Sequence, residues 1–214
     1  MGAVAMGGVT SAEIDGVTID AYGTLVTLVD PVPSLRLALA ARGVDCEPDT
    51  VRHGFRTEVA HYGVHSAEGH DEAGLAQLQR DCARVFLEAV GAAVDAGEFA
   101  PVFAAAMRFE LLPGVVEALG KLSGLGLELA VVANWDLSLR RLLEEVGLAR
   151  HFRTVVHAAG KPAADGLLRA LAELRVAPQR ALHIGDDAVD ERAAAAAGMH
   201  FLRAPLPDAV ANLE

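Results

Sequence analysis

Positive charge is scarce in this sequence, cysteine is nearly absent and aromatic residues are few. Lys and Arg number 18 against 29 Asp and Glu, a net charge of −11, and no Lys/Arg-rich run offsets the balance. That excludes a general nucleic-acid surface or an anionic-membrane surface. It does not exclude a small anionic substrate, whose binding depends on the local field in a cleft. The two cysteines, Cys46 and Cys82, lie in helix-like stretches without metal-ligand spacing, so they read as reduced thiols of a cytoplasmic protein. Met1–Thr10 is small and apolar but carries no Lys or Arg. It is too short and glycine-rich for a signal peptide or a membrane span, and a loose tail is expected there. Aromatics make up only 5% of a chain rich in alanine, a composition that favours closely packed helices.

What is present suffices for a real core. The 214 residues are 52% apolar and 22% charged, which makes the chain globular. The length allows one domain with a large insertion or two small ones. The organising stretch runs from Val17 to Val26. Its β-branched start reads as a buried strand, Asp20 stands at the strand's end, Gly23 permits an abrupt turn, and Thr24 adds a hydroxyl. A lone acid at the C-terminal end of a parallel strand sits where open α/β sheets bind ligands, although such an acid also caps turns.

Beyond Leu25 the strand signal fades. Ser34 opens a helix to Arg42, Asp49 or Thr50 opens another to about His65, a third spans Ala73 to Val90, and a short one spans Glu98–Arg108. Residues 31–108 therefore read as helical, an insertion suited to a lid over a ligand crevice. Then strands and helices alternate. Strands are expected at Leu127–Ala133, Phe152–His157, Ala181–Ile184 and His200–Arg203, with helices from Pro113 to Leu122, from Asp136 or Ser138 to Val146, over Ala163–Leu174, and from Asp190 to Ala197. This order predicts βαβ units and a mainly parallel sheet.

In such a sheet the loops after the strands share one edge, so Asp20 and Thr24, Asn134 and Asp136, Lys161, and Asp186, Asp187 and Asp190 can converge. A carboxylate nucleophile, a lysine to balance negative charge and paired acids able to hold Mg²⁺ form a coherent reaction centre. Each part has a plainer reading: Lys161 as a solvated loop residue, Asp190 as an acid favoured by a helix start.

The motifs in this order resemble those of the haloacid dehalogenase superfamily of hydrolases, over nearly all of residues 16–205. Asp20-Ala21-Tyr22-Gly23-Thr24-Leu25 matches the first motif and Val131-Val132-Ala133-Asn134 stands at the second. Lys161-Pro162 matches the third, and Gly185-Asp186-Asp187-Ala188-Val189-Asp190 the fourth. The resemblance implies an α/β fold: a Rossmann-like, mainly parallel sheet flanked by helices (1–30 and 109–214), with an inserted helical cap (31–108). It implies Asp20 as nucleophile, Lys161 steadying a covalent aspartyl intermediate, and Mg²⁺ held by Asp20, the Tyr22 carbonyl and Asp186, with Asp187 or Asp190. Asn134 and Thr24 complete the expected catalytic set, and Tyr22, Ala133 and Trp135 are expected near substrate.

Two departures qualify the match. Phosphatases of the superfamily place an acid where this chain has Tyr22, and a phenol is a poor base at neutral pH. Tyrosine there is similar to the 2-haloacid dehalogenases, yet those are usually metal-free and lack the acids found here at the fourth motif. Ala133 stands where a Ser or Thr hydroxyl is usual, and losing one such donor typically costs a few kcal/mol of transition-state stabilisation. Three functions follow: a Mg²⁺-dependent hydrolase of a small phosphorylated metabolite, a metal-independent 2-haloacid dehalogenase, or a catalytically weakened ligand- or partner-binding protein. A small molecule is the expected partner of a monomer or homodimer, with neither nucleic acid nor membrane.

Other residues carry weaker signals. His61 and His65 stand one helical turn apart and could hold zinc or line a polar face. Trp135 either lines a cleft mouth or packs under the following helix. His183, inside a strand, reads as a satisfied core histidine. Arg36 or Arg56 could meet an acidic substrate, or each could sit on a solvated face.

Overall fold

The computed structural model describes residues 13–211 and 213. The expected tail at Met1–Thr10 lies outside the described residues. Five strands form one sheet in the order β5-β4-β1-β6-β7: β1 (Gly16–Ile19), β4 (Glu128–Val132), β5 (Thr154–Val156), β6 (Ala181–Gly185) and β7 (His200–Arg203). Every pairing in it is parallel. All of β1 and β6 is buried, as expected where helices cover both faces of a parallel sheet. The chain runs outward from β1 to β4 and β5, then returns to β6 on the other side of β1. That reversal is a topological switch point, and open sheets bind ligands at the carboxyl ends of the strands there.

Helices α7 (Asp165–Leu174) and α8 (Ala188–Ala197) lie against one another and the sheet. Ala170, Ala193, Ala194 and Ala197 present only methyls, so the backbones approach closely while Leu167, Leu171 and Leu174 fill the space above Ala130, Val132 and Val156. Each buried leucine contributes roughly 2 kcal/mol from water exclusion. Also in this part of the chain are α5 (Val115–Gly124) and α9 (Leu206–Ala211).

The structure divides into two compact units. The first takes the described chain up to Thr27, Leu111–Ala133 and the chain from Leu143 onward; the second takes Leu28–Glu110 with Asn134–Leu142. The second unit carries α1 (Val32–Ala40), α2 (Pro48–His65), α3 (Glu72–Val90) and α4 (Ala96–Ala106). Its core gathers Leu35, Leu39, Val51, Leu78, Cys82, Phe86, Phe99 and Phe103, with the Phe86 ring 5.1 Å from Phe103 and 6.0 Å from Phe99. Asp71 and Asp95 cap α3 and α4 through the N–H groups of Gly74 and Glu98.

Several expected boundaries shift for local reasons. The first helix starts at Val32, not Ser34, because Asp30 Oδ1 accepts the Val32 N–H at 3.0 Å. The helix expected from Glu98 begins at Ala96, behind its Asp95 cap, and ends at Ala106. Two short strands were not expected, β2 (Val26–Leu28) and β3 (Phe109–Leu111). They pair with each other, flanked by Leu112 N–H to Leu25 O and Val29 N–H to Arg108 O, a crossed numbering that makes the ribbon antiparallel. A three-residue strand is too short to leave a periodic signal.

Segment Asn134–Leu142 belongs to the second unit through specific bonds. The Leu137 N–H donates to Gly69 O at 2.8 Å, the Tyr62 hydroxyl donates to Asp136 Oδ2 at 3.1 Å, and the Asp136 N–H donates back to that hydroxyl at 3.3 Å. Among the described residues, no helix is long and apolar enough to cross a membrane.

Candidate active site

Asp20 directly follows β1, and its N–H extends the sheet by donating to Ile184 O at 2.9 Å. The residue is 8% exposed, and its carboxylate accepts from Lys161 Nζ at 2.5 Å. The same ammonium donates to Asp190 Oδ1 at 2.5 Å, so one buried lysine stands between two buried carboxylates. Asp190 is held from further sides. Its Oδ2 accepts the Asp187 N–H at 3.1 Å, and His183 Nε2 lies 3.2 Å from Oδ1. Carboxylate oxygens of Asp20, Asp186 and Asp190 all lie within 4.8 Å of one another.

Burial pushes the Asp20 carboxyl upward, and Asp190 adds to this, against the opposing pull of Lys161. Burial alone would lower the Lys161 amine; the charges of Asp20 and Asp190 outweigh it and hold the ammonium firmly protonated. For Asp190 burial acts upward, but the His183 hydrogen bond and Lys161 overcome it and hold the carboxyl well below the usual range. Asp186 is raised by burial first, then by Asp190 and Asp187. Three hard oxygen donors this close, two of them displaced upward, suit a divalent cation such as Mg²⁺.

Two glycines make the approach possible. A Cβ on Gly185 would stand 2.4 Å from Asp190 Cγ, and one on Gly23 would stand 2.2 Å from Asp186 Oδ2. Gly23 also has φ +75°, whereas Gly126, at φ +76°, has nothing within 4 Å of its would-be Cβ. Gly126→Ala is therefore expected to cost about 1–2 kcal/mol from backbone strain alone. Gly23→Ala is expected to cost about 0.5–1.5 kcal/mol more, because the exposed Asp186 carboxylate must also turn out of its place. Denaturant titration of both variants measures the difference; equal costs would mean that Asp186 does not need this gap.

The other expected residues distribute as follows. Thr24 is buried, its hydroxyl has no hydrogen-bond partner among the described residues, and with Gly23 and Asp186 it borders an open cavity of about 430 Å³ walled by Pro113, Pro205 and Pro207. The Tyr22 side chain is 52% exposed. Ala133 is buried, its N–H bonded to Val156 O at 3.0 Å and its carbonyl accepting from Ala159 N–H at 3.2 Å. Asp187 is not part of the three-acid group: its carboxylate caps α8 by accepting the Val189 N–H at 3.0 Å. Asn134 is exposed and, with Trp135, falls in the second unit. Trp135 is buried there, its ring 5.0 Å from Phe109 and its indole N–H donating to Ser138 Oγ at 3.2 Å. His61 and His65 stack at 4.3 Å, but His65 is bonded to Glu68 at 2.8 Å. Among the described residues, Asp20, Asp186 and Asp190 form the only group able to supply three ligands to a metal.

Two residues outside the expected catalytic set also reach this site. His183 and Thr18 stand side by side in register on β6 and β1, with Nδ1 2.8 Å from the Thr18 hydroxyl. The available signal was positional: Thr18 precedes Asp20 by two residues, so both face the same side of the strand.

A buried acid–lysine–acid centre at the switch point of a parallel sheet marks an α/β enzyme. The chain belongs to the haloacid dehalogenase-like hydrolases, whose family model matches residues 14–198. It is similar to haloacid dehalogenase-like hydrolase domain-containing protein 3. For the Xenopus laevis protein the identity is 40% over 46% of this chain and 42% of that protein, so less than half of that relative is spanned. For the Mus musculus protein it is 32% over 90% of this chain and 84% of that one. Phosphoglycolate phosphatase of Nitrosococcus oceani is 28% identical over 89% of this chain and 80% of its own length. Among solved structures, L-2-haloacid dehalogenase from Xanthobacter autotrophicus superposes with a TM-score of 0.66 at 21% identity, covering 89% of this chain and 77% of that one, which is a likeness of fold.

Proposed function

We propose that this hydrolase releases phosphate from a small phosphorylated metabolite, with Asp20 as covalent nucleophile. One observation carries the reading: Lys161 is fixed between Asp20 and Asp190, with Asp186 completing a three-acid group. An Asp20 oxygen attacks phosphorus, an O–P bond forms, and the bridging P–O bond to the alcohol breaks. Water then attacks the aspartyl phosphate, giving inorganic phosphate and restoring the carboxylate. Lys161 offsets the negative charge that gathers on Asp20 and the phosphoryl oxygens. Asp20, Asp186 and the Tyr22 carbonyl would hold Mg²⁺, which when bound neutralises phosphoryl charge. Asp190, fully engaged by Lys161, His183 and the Asp187 N–H, acts mainly by aiming the lysine.

The remaining residues take lesser parts. Thr24 offers its unpaired hydroxyl to the transferring group, partly replacing the hydroxyl absent at Ala133. With Tyr22 in place of an acid, the leaving alkoxide takes its proton from water, so turnover is slow.

Tyr22 also favours a second reading, metal-independent release of halide from a 2-haloacid, where the leaving group needs no proton. Chelation separates the two. Phosphate release from p-nitrophenyl phosphate is expected to need Mg²⁺ and to stop with EDTA. Halide release from 2-chloropropionate that persists in EDTA would establish the dehalogenase instead. Neither product, with retained binding of phosphate, would leave a ligand-binding protein.

A further inference from the structure

We propose that His183 is a positioning residue of this centre: its imidazole holds the Asp190 carboxylate so that Lys161 stays turned toward Asp20. The proposal rests on the functional reading above and adds a part to it. Five side chains form a chain of contacts from Asp20, directly after β1, back to Thr18 within β1. Asp20 bonds Lys161, Lys161 bonds Asp190, Asp190 meets His183, and His183 meets Thr18, two residues before Asp20.

The geometry gives His183 one orientation. Asp190 accepts from an ammonium and from the Asp187 N–H, so it is an acceptor toward its third neighbour as well. Nε2, which faces Asp190 Oδ1 at 3.2 Å, must therefore carry a proton. Nδ1 faces two oxygens of Thr18, the hydroxyl at 2.8 Å, which can donate or accept, and the backbone carbonyl at 3.0 Å, which can only accept, and together they fix the plane of the ring. Thr18 holds the ring in place and the Nε2–H then holds the carboxylate's rotation, as outer partners do for histidines at catalytic centres. The carboxylate has little other support on that side. Gly185 has no side chain, and a Cβ there would overlap Asp190.

His183 is fully buried, so it cannot touch substrate and its influence must pass through Asp190. A histidine serving only to fill the core would not need Nε2 on a carboxylate that also holds the lysine. Packing alone would be satisfied by an apolar ring or chain of similar volume.

Three measurements test this. First, long-range ¹H–¹⁵N spectra of the wild-type protein are expected to show the His183 proton on Nε2. A ring protonated on Nδ1 alone would overturn the proposal, whatever the enzyme's activity. Second, in a crystal structure of His183→Leu the Asp190 carboxylate is expected to rotate away, breaking its bond to Lys161; an unchanged Asp190–Lys161 pair would overturn it. Third, with p-nitrophenyl phosphate and Mg²⁺, His183→Leu is expected to lower kcat by about 10–100-fold with KM within about twofold. His183→Gln, which keeps an N–H donor, is expected to recover most of that loss, and Thr18→Val to lose less than His183→Leu. Full kcat in folded His183→Leu would overturn the proposal, as would equal losses in the Leu and Gln variants. If His183→Leu fails to fold, the Gln and Thr18 variants with the wild-type spectra still decide. Should the wild-type protein release no phosphate, the functional reading fails, while the spectra and the crystal structure still judge the role of His183.

Discussion

Asp20→Asn is expected to reduce phosphate release by about 10⁴-fold or more in kcat while leaving the protein folded. The scale follows from removing a nucleophile that works as a unit with its partners. A carboxamide oxygen can still accept from Lys161, so the 2.5 Å contact is not simply deleted. The charge balance improves as well. The wild-type centre buries two carboxylates around one ammonium, and burial already pushes Asp20 toward its neutral form. Asn removes the surplus negative charge, so the melting temperature is expected to hold or rise. Lys161→Met is the contrasting case. It leaves Asp20 and Asp190 buried together without a cation, and removing one partner of a buried pair costs about 3–5 kcal/mol. Loss of activity with retained stability in the first variant, and loss of both in the second, is the expected pattern. Turnover surviving in Asp20→Asn would take the nucleophile's role from this residue.

The parts of this molecule that could be read from sequence are those governed by short-range pattern. β1, β4 and β6 are apolar runs bounded by glycine or polar turns, and a parallel sheet puts the ends of such runs on one edge. The structure duly brings Lys161, Asp186 and Asp190 around Asp20. What escaped depends on long-range partners or on competition between roles. The segment from Asn134 to Leu142 is tied by Tyr62, whose hydroxyl reaches Asp136 across 74 positions of sequence. No local pattern announces such a bond. Asp187 shows the competition: an acid at the start of a helix can ligate a metal or cap the helix, and here its carboxylate is on the Val189 N–H. His183 was legible as a satisfied core histidine, but not its partner Asp190, because the contact needs the first turn of α8 placed over β6.

Glu58→Gln is expected to stabilise the helical unit by about 2–3 kcal/mol at pH 8 and to flatten its stability between pH 4.5 and 7. Glu58 occupies the inward stripe of α2 with Val51, Gly54 and Tyr62, a position whose spacing asks for an apolar residue. It is only 5% exposed, and burial raises its carboxyl to about 7, with the Cys82 thiol hydrogen-bonding it in the opposite direction. The ordinary value is 4.5, so between 4.5 and about 7 the folded protein keeps a proton that the unfolded chain has released. Stability must then fall as pH climbs through that window, and the full loss, about 3 kcal/mol, is reached above pH 7. The groups nearest this carboxylate do not reproduce the effect: burial and the Glu58 charge push the Cys82 thiol upward, and Tyr62 is raised by burial and Asp136, so both stay protonated throughout. Glutamine is neutral at every pH and nearly the same shape, so subtracting its profile from the wild-type profile isolates Glu58. The single tryptophan, Trp135, lies in the same unit and reports its unfolding by fluorescence. Parallel denaturation profiles from pH 4.5 to 8 would mean that Glu58 reaches water in solution, and that the α2–α3 contact beside Cys82 is open there.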